Sequence, residues 1–175
     1  NCSLAAARRF CEVTSTDYVQ DLLRRGRERA MAERLPIEFK LADAEALPFG
    51  DGSFDAVTST FGVMFAPDQA MAAAELMRVC RSGGKIGMAN WTPDSFIGQL
   101  FKTIGRYVPP APALQSPALW GTRERLEQFF GAGATIAVSE RHFNMRYRSP
   151  RHWIDTWRSI YGPLQKAFDS LDAEK

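Results

Sequence analysis

Ala42-Asp43-Ala44-Glu45-Ala46-Leu47-Pro48-Phe49, with Asp51-Gly52-Ser53-Phe54-Asp55-Ala56-Val57 just beyond, is the stretch on which the reading of this chain turns. It places a small acidic loop between two predicted strands. The first, Ile37–Leu41, alternates apolar and polar side chains. The second runs over Phe54–Thr60. In an open α/β sheet, ligands bind outside the carboxyl ends of the strands. Acidic side chains there suit a ligand with hydroxyls and an amino-purine, or one with positive charge. A phosphate would require basic residues instead.

Working outward, residues 12–17 read as a short strand ending in Asp17. A helix follows, with Val19, Leu22, Leu23 and Ala30 recurring on one face and Leu35-Pro36 closing it. Downstream, Asp68 is placed to cap a helix over 69–78 that ends at Gly83-Gly84, and 85–90 form the next strand. Strands alternate with helices and no hairpin signal separates them. That predicts an α/β fold: a doubly wound, mostly parallel sheet with helices on both faces and right-handed crossovers.

The pattern changes after Trp91. Pro93, Pro109, Pro110, Pro112 and Pro117 mark 92–121 as an insertion, with Phe96, Leu100, Phe101, Ile104 and Val108 on one helical stripe. It is too long for a plain strand–helix connection and reads as a lid or substrate wall over the sheet edge. Thr122 then caps a helix whose Leu126, Phe129 and Phe130 face the core and which Gly131 ends. Strand signals return at 135–138 and 143–147. Ser149-Pro150 opens a last helix with a buried stripe of Trp153, Trp157, Ile160 and Tyr161. Gly162-Pro163 interrupts it before Leu164, Phe168 and Leu171. No repeat or linker divides the chain, so 1–175 is read as a single domain.

Bulk composition bounds the function. The chain has 175 residues, 45% hydrophobic and 24% charged, with net charge +2, so there is no electrostatic reason to expect a nucleic-acid partner. Arg24, Arg25, Arg27 and Arg29 cluster, but Glu28 and Glu33 interrupt them, as on a solvated helix face. Cys2, Cys11 and Cys80 are odd in number and irregular in spacing, which fits reduced thiols in a cytoplasmic setting and not a zinc site. No apolar run is long enough to span a bilayer, no secretory leader is evident, and no membrane partner is expected. The chain begins at Asn1 and not at Met, so the natural N-terminus is expected upstream.

Two acids carry the ligand reading. Asp17, at the end of its strand, is placed to accept both ribose hydroxyls of an adenosine; an acid at a strand–helix junction also serves as a cap. Tyr18 could lie against the adenine face or be a plain loop aromatic. Asp43 can accept the adenine amino group while the Ala44 N–H donates to the ring, or Asp43 can close an Asx-turn. Their occurrence together at the ends of consecutive strands favours the ligand.

These segments, taken as a set, resemble class I S-adenosylmethionine (SAM)-dependent methyltransferases, in particular the type 11, UbiE-like small-molecule group. Residues 42–49 with Ser53-Phe54-Asp55-Ala56-Val57 resemble the region between the family's third and fourth strands. Glu75-Leu76-x-Arg78-Val79-x-Arg81-x-Gly83-Gly84-Lys85 resembles the helix and turn before the fifth strand, and Val13-Thr14-x-x-Asp17 the ribose-binding strand. Asn1 with Ala5-Ala6-Ala7-Arg8-Arg9 is similar to the start of the helix after the glycine-rich loop. The likeness covers residues 1–91 and is looser beyond.

The resemblance implies a Rossmann-like domain that uses SAM to methylate a small acceptor by in-line displacement, driven mainly by positioning. It implies cofactor contacts from Asp17, Tyr18, Asp43, Ala44, Thr60 and Phe61. The acceptor pocket falls to Met64, Phe65, Trp91, Tyr107 and Trp120, an apolar set suited to an aromatic, isoprenoid-like or polyketide-like molecule; core packing is the competing role for Met64 and Phe65, and packing of the lid against the sheet for the pocket aromatics as a group. Two departures stand out. The first strand with its G-x-G-x-G loop, and a closing last strand, are absent from these residues, so the sheet is expected to be incomplete. Ser82 stands where the family has Pro. No general base is assigned: His142 and His152 are expected to be structural or exposed, and no metal is expected. A non-catalytic scaffold on the same fold is the main alternative. A nicotinamide-dependent oxidoreductase is weaker, since none of Tyr18, Tyr107, Tyr147 or Tyr161 has Lys four residues on.

Overall fold

The computed structural model describes residues 1–171. Two parallel strand pairs form its frame. β1 (Val13–Asp17) pairs with β2 (Ile37–Leu41) in a register running from Val13 opposite Ile37 to Asp17 opposite Leu41. The crossover is α2 (Gln20–Ala32), which buries Leu23 and Ala30 but leaves Leu22 exposed. β3 (Phe54–Thr60) pairs with β4 (Cys80–Ala89), and the crossover is α3 (Gln69–Val79). Asp68 caps α3 as expected, its carboxylate accepting the Met71 N–H at 2.9 Å. Ala72, Ala73, Leu76 and Val79 give α3 a buried stripe with the helical period.

α3 does not end at Gly83-Gly84. The chain turns extended at Cys80 and β4 begins there. The register jumps from Phe54 opposite Cys80 to Ala56 opposite Lys85, so residues 81–84 form a bulge. Gly83 has φ 71°, and a Cβ on Gly84 would lie 2.7 Å from Cys80 Sγ and 2.9 Å from the Asp55 carbonyl. The two glycines serve the bulge and not a helix cap.

β1 and β3 share no ladder; the strands form two separate two-stranded sheets. α1 (Cys2–Ala7) packs against β1, β2 and β3 and spans both sheets. Its Ser3 hydroxyl donates to Ser15 Oγ at 2.9 Å and its Cys2 thiol to Thr58 Oγ1 at 3.4 Å. The strand directions and the alternation with helices are those of a Rossmann-like α/β fold.

The insertion opens with α4 (Phe96–Tyr107), capped by Ser95. Ile97 and Gly98 are buried and Leu100, Phe101, Ile104 and Val108 are part-buried, as the expected stripe requires, while Phe96 is exposed and Ile97 takes its place. A short 3-10 turn, Pro117–Gly121, follows, then α5 (Arg123–Phe130), capped by Thr122. Val63, Met64, Ala72, Ala73, Leu76, Trp120 and Phe130 form the main core.

Two expectations fail beyond Gly131. Residues 135–138 and 143–147 form no strand; they are mostly exposed irregular chain with no ladder. Alternating side chains make a strand only beside a sheet edge that accepts them. α6 (Pro150–Ile160) is capped by Ser149 as expected but has no fully buried residue: Trp153 and Trp157 are half-buried and Ile160 is exposed. Its aromatics stack on each other, and α7 (Gly162–Ser170), which also packs on α4, supplies the buried Leu164 and Ala167. No helix among the described residues is long and apolar enough to cross a membrane.

Candidate cofactor and acceptor site

Asp17 is the last residue of β1 and lies opposite Leu41, two residues before Asp43. Parallel pairing therefore brings the two acids to the same end of adjacent strands. Each carboxylate is held by an amide two residues on: Asp17 Oδ1 accepts Val19 N–H at 2.9 Å and Asp43 Oδ1 accepts Glu45 N–H at 2.9 Å. Both are Asx-turns. The turn does not compete with ligand binding, because it uses one oxygen and fixes the other. Among the described residues the second oxygen of each acid has no hydrogen-bond partner. Tyr18 is 74% exposed beside them, free to cover a planar group.

The loop after Asp43 is tightly held. Asp43 and Ala46 form an isolated antiparallel bridge. Glu45 Oε1 accepts the Asp68 N–H at the start of α3, at 2.7 Å. Further on, Glu75 and Arg78 of α3 bind the backbone of Leu47 and Phe49. Hydrogen bonding to Arg78 and to the Leu47 amide holds the Glu75 carboxyl below the usual carboxylate range, against the opposing effect of its burial. Glu75 and Arg78 stand in the sequence only as part of the resemblance over Glu75–Lys85; their three-residue spacing on a helix is the signal for an ion pair.

The second strand pair carries the aromatic side of the site. Thr60 lies opposite Ala89, and the next residue, Phe61, donates its N–H to the Ala89 carbonyl at 2.9 Å. Phe61 has φ 60°, a left-handed conformation that a bulky residue adopts only when its surroundings enforce it. Its ring stacks on Trp91, 4.4 Å between centroids and 11° between planes. The insertion closes over this end: Asn90 Nδ2 donates to the Trp120 carbonyl at 3.2 Å, and Gly121 lies so close to the Trp91 carbonyl that no Cβ fits. Phe65 packs edge-on against Phe101 of α4 at 5.8 Å.

The structure therefore divides the expected acceptor residues. Phe65, in the short turn after β3, and Trp91, just after β4, are partly accessible, and so is Phe61, expected on the cofactor side. Met64 and Trp120 are fully buried in the core, with no surface for a substrate to touch; the turn that carries Met64 packs on α3, and Trp120 packs against Phe129 and Phe130 of α5. Tyr107 is 57% exposed at the far end of α4. His142 is exposed on the irregular segment, and His152 is exposed with Nδ1 accepting the Arg148 N–H at 3.3 Å. Neither is joined by a hydrogen bond to the acidic loop or the stacked pair. Phe96 joins the expected stripe of Trp153, Trp157 and Tyr161, a contact that the sequence alone does not suggest, and the four rings succeed one another at 5.1–5.2 Å. Burial pushes the Tyr161 phenol up to about 12.

Comparison with known proteins bears on this arrangement. Residues 1–88 match the family described as "Methyltransferase domain". An uncharacterized protein of Mycobacterium tuberculosis is 41% identical over 174 residues, covering 98% of this chain and 64% of that protein. Demethylmenaquinone methyltransferase of Deinococcus radiodurans is 35% identical over 101 residues, covering 57% of this chain and 42% of the enzyme. Among solved structures, the YcgJ protein of Bacillus subtilis aligns with a TM-score of 0.68 at 18% identity, covering 98% of this chain and 73% of that one, a likeness of fold. The chain spans 64% of the length of the Mycobacterium relative.

Proposed function

Because the chain belongs to the methyltransferase domain family, we propose that it takes part in SAM-dependent methylation of a small, largely apolar acceptor. The observation that carries this reading is the pair Asp17 and Asp43. They stand at matching ends of paired strands, each with one oxygen fixed by an Asx-turn and one left to accept. That donor set fits the adenosine half of the cofactor: a rigid acceptor for ribose hydroxyls and another for an exocyclic amine.

When bound, SAM supplies a methyl group on a sulfonium, already a good leaving group. What the protein adds is position and dryness. Asp17 and Asp43 hold the nucleoside, and the Ala44 N–H donates to its ring. Thr60 and Phe61, at the end of β3, face the methionyl side, where an aromatic face also attracts positive charge. The stacked Phe61–Trp91 pair offers a flat apolar platform for the acceptor, and Phe65 with Phe101 of the insertion extends it. Tyr107 lies along the same insertion. Met64 and Trp120 support the wall from inside the core. No side chain is assigned as general base, so an acceptor that arrives ready to be methylated suits this site best. The three free cysteines support a cytoplasmic setting for the reaction.

The aromatic platform supports the apolar acceptor class, and the name of the Deinococcus relative, demethylmenaquinone methyltransferase, points the same way. The deciding measurement is a calorimetric titration of the natural full-length protein with S-adenosylhomocysteine. Binding in the micromolar range establishes the cofactor class. No binding to a folded protein overturns the reading and leaves a scaffold on a methyltransferase fold.

A further inference from the structure

Loop 42–53 is held from within only by short-range hydrogen bonds such as Glu45 N–H to Asp43 Oδ1 and Phe49 N–H to the Leu47 carbonyl. Apart from the Asp43–Ala46 bridge it forms no regular structure, yet it carries the residues assigned to the adenine. α3 supplies the missing order. The loop runs alongside the helix in the same direction: Glu45 meets its first residues, Leu47 meets Glu75, and Phe49, Asp51 and Gly52 meet Arg78.

Nearly every polar atom of Glu75 and Arg78 is committed to this loop or to the pair itself. Glu75 Oε2 accepts the Leu47 N–H at 2.6 Å. Arg78 Nη2 donates to the Leu47 carbonyl at 2.9 Å, and Nη1 to the Phe49 carbonyl at 2.7 Å and to Asp51 Oδ1 at 2.9 Å. Arg78 Nε and Nη2 also donate to the two oxygens of Glu75 at 2.6 and 2.8 Å, and the Arg78 carbonyl accepts the Gly52 N–H at 2.8 Å. The Glu75 side chain is only 13% exposed. A guanidinium fork is what this pattern needs: the Arg78 side chain serves five acceptor atoms, Glu75 Oε1 and Oε2, the Leu47 and Phe49 carbonyls and Asp51 Oδ1, and a lysine ammonium has only three donors, all on one atom.

We propose that Glu75 and Arg78 are positioning residues for cofactor recognition, setting where the Asp43 carboxylate and the Ala44 N–H stand relative to the adenine. They need not touch the ligand. Leu47 is clamped three residues past Ala44, and the Asp43–Ala46 bridge carries that constraint to Asp43. The proposal rests on the SAM reading given above, and its consequence is selective. Loosening the clamp damages recognition of the adenine amino group more than binding of the rest of the molecule.

The test compares S-adenosylhomocysteine with its deaminated analogue, S-inosylhomocysteine, by calorimetry on the natural full-length protein. Wild type is expected to favour the adenine compound by about a hundredfold, since the analogue offers a carbonyl to Asp43 in place of an amine. Arg78→Lys is expected to weaken the adenine compound about tenfold or more, while the analogue changes by about twofold or less, so the preference collapses. Glu75→Gln, which keeps the shape of the side chain, is the second variant and is expected to lose part of the preference. A preference unchanged in both variants overturns the proposal, whatever happens to overall affinity or melting temperature. Failure of wild type to bind either compound overturns the cofactor reading itself, and the proposal with it.

Discussion

Phe61 lies flat against Trp91, their ring planes 11° apart, although they follow different strands and Phe61 pays for the contact with a left-handed backbone. Strain of about 1–3 kcal/mol persists only where the surroundings enforce it. Here the enforcing elements are the Phe61 N–H bond to Ala89 and the insertion packed over Trp91. If the pair is an acceptor platform, Trp91→Leu should raise the KM for the acceptor about tenfold through the lost stacking, at about 0.5–1.5 kcal/mol for the aromatic pair plus lost contact area. Affinity for S-adenosylhomocysteine should stay within about twofold. Equal losses for both ligands would make the pair a structural prop and not a platform.

Asp17 is the sharpest test of the nucleoside site. Asp17→Ala removes the oxygen assigned to the ribose, and hydrogen bonds to a charged acceptor contribute about 1.5–3 kcal/mol. Calorimetry should show affinity for S-adenosylhomocysteine falling about tenfold to a hundredfold. The same change removes the acceptor for Val19 N–H, at about 1 kcal/mol of stability, so the fold should survive and the far-UV spectrum should be unchanged. Undiminished affinity would remove Asp17 from the site.

Gly84 tests the bulge. A methyl group there meets Cys80 Sγ, the Arg81 carbonyl and the Asp55 carbonyl, all within 2.9 Å. Two of these atoms are backbone and cannot rotate away. Gly84→Ala should cost about 1–3 kcal/mol, read as a lower denaturant midpoint in equilibrium unfolding. Gly87, whose added Cβ would meet only Thr58 Cγ2 at 3.8 Å, should tolerate Ala with about 1 kcal/mol or less of change.

Tyr161 offers a pH readout of the C-terminal helices. Burial favours its neutral phenol and raises its pKa to about 12. The folded state therefore holds this proton more tightly than the unfolded chain, whose tyrosines titrate near 10. The stabilisation is complete below pH ~10 and is lost as the pH rises from there towards 12. Ultraviolet titration of the phenolates should show one late component that disappears in Tyr161→Phe. A late component that persists in that variant would place it on another tyrosine.

How much of this was legible in advance depends on what each residue answers to. Local chemistry was readable: Asp68, Thr122 and Ser149 cap the helices assigned to them, because a cap needs only its own following amides. Strands β1 to β3 were readable because alternation and flanking turns sit within a few residues. The segments 135–138 and 143–147 were misread because a strand is completed by a partner, and no partner edge is encoded in the strand itself. The α6 stripe was misread for a related reason: an apolar face says that something covers it, and here the aromatics largely cover one another. In the site, the acids could be named from position and type. The Glu75–Arg78 clamp could not, since its targets are mainly backbone atoms about thirty residues upstream, invisible to any side-chain pattern.

α1 touches both strand pairs, through Ser3 with Ser15 Oγ and Cys2 with Thr58 Oγ1. Nucleoside recognition is assigned to one pair and the aromatic platform to the other. A single bound cofactor would therefore bridge the two pairs, and its affinity would report on both at once.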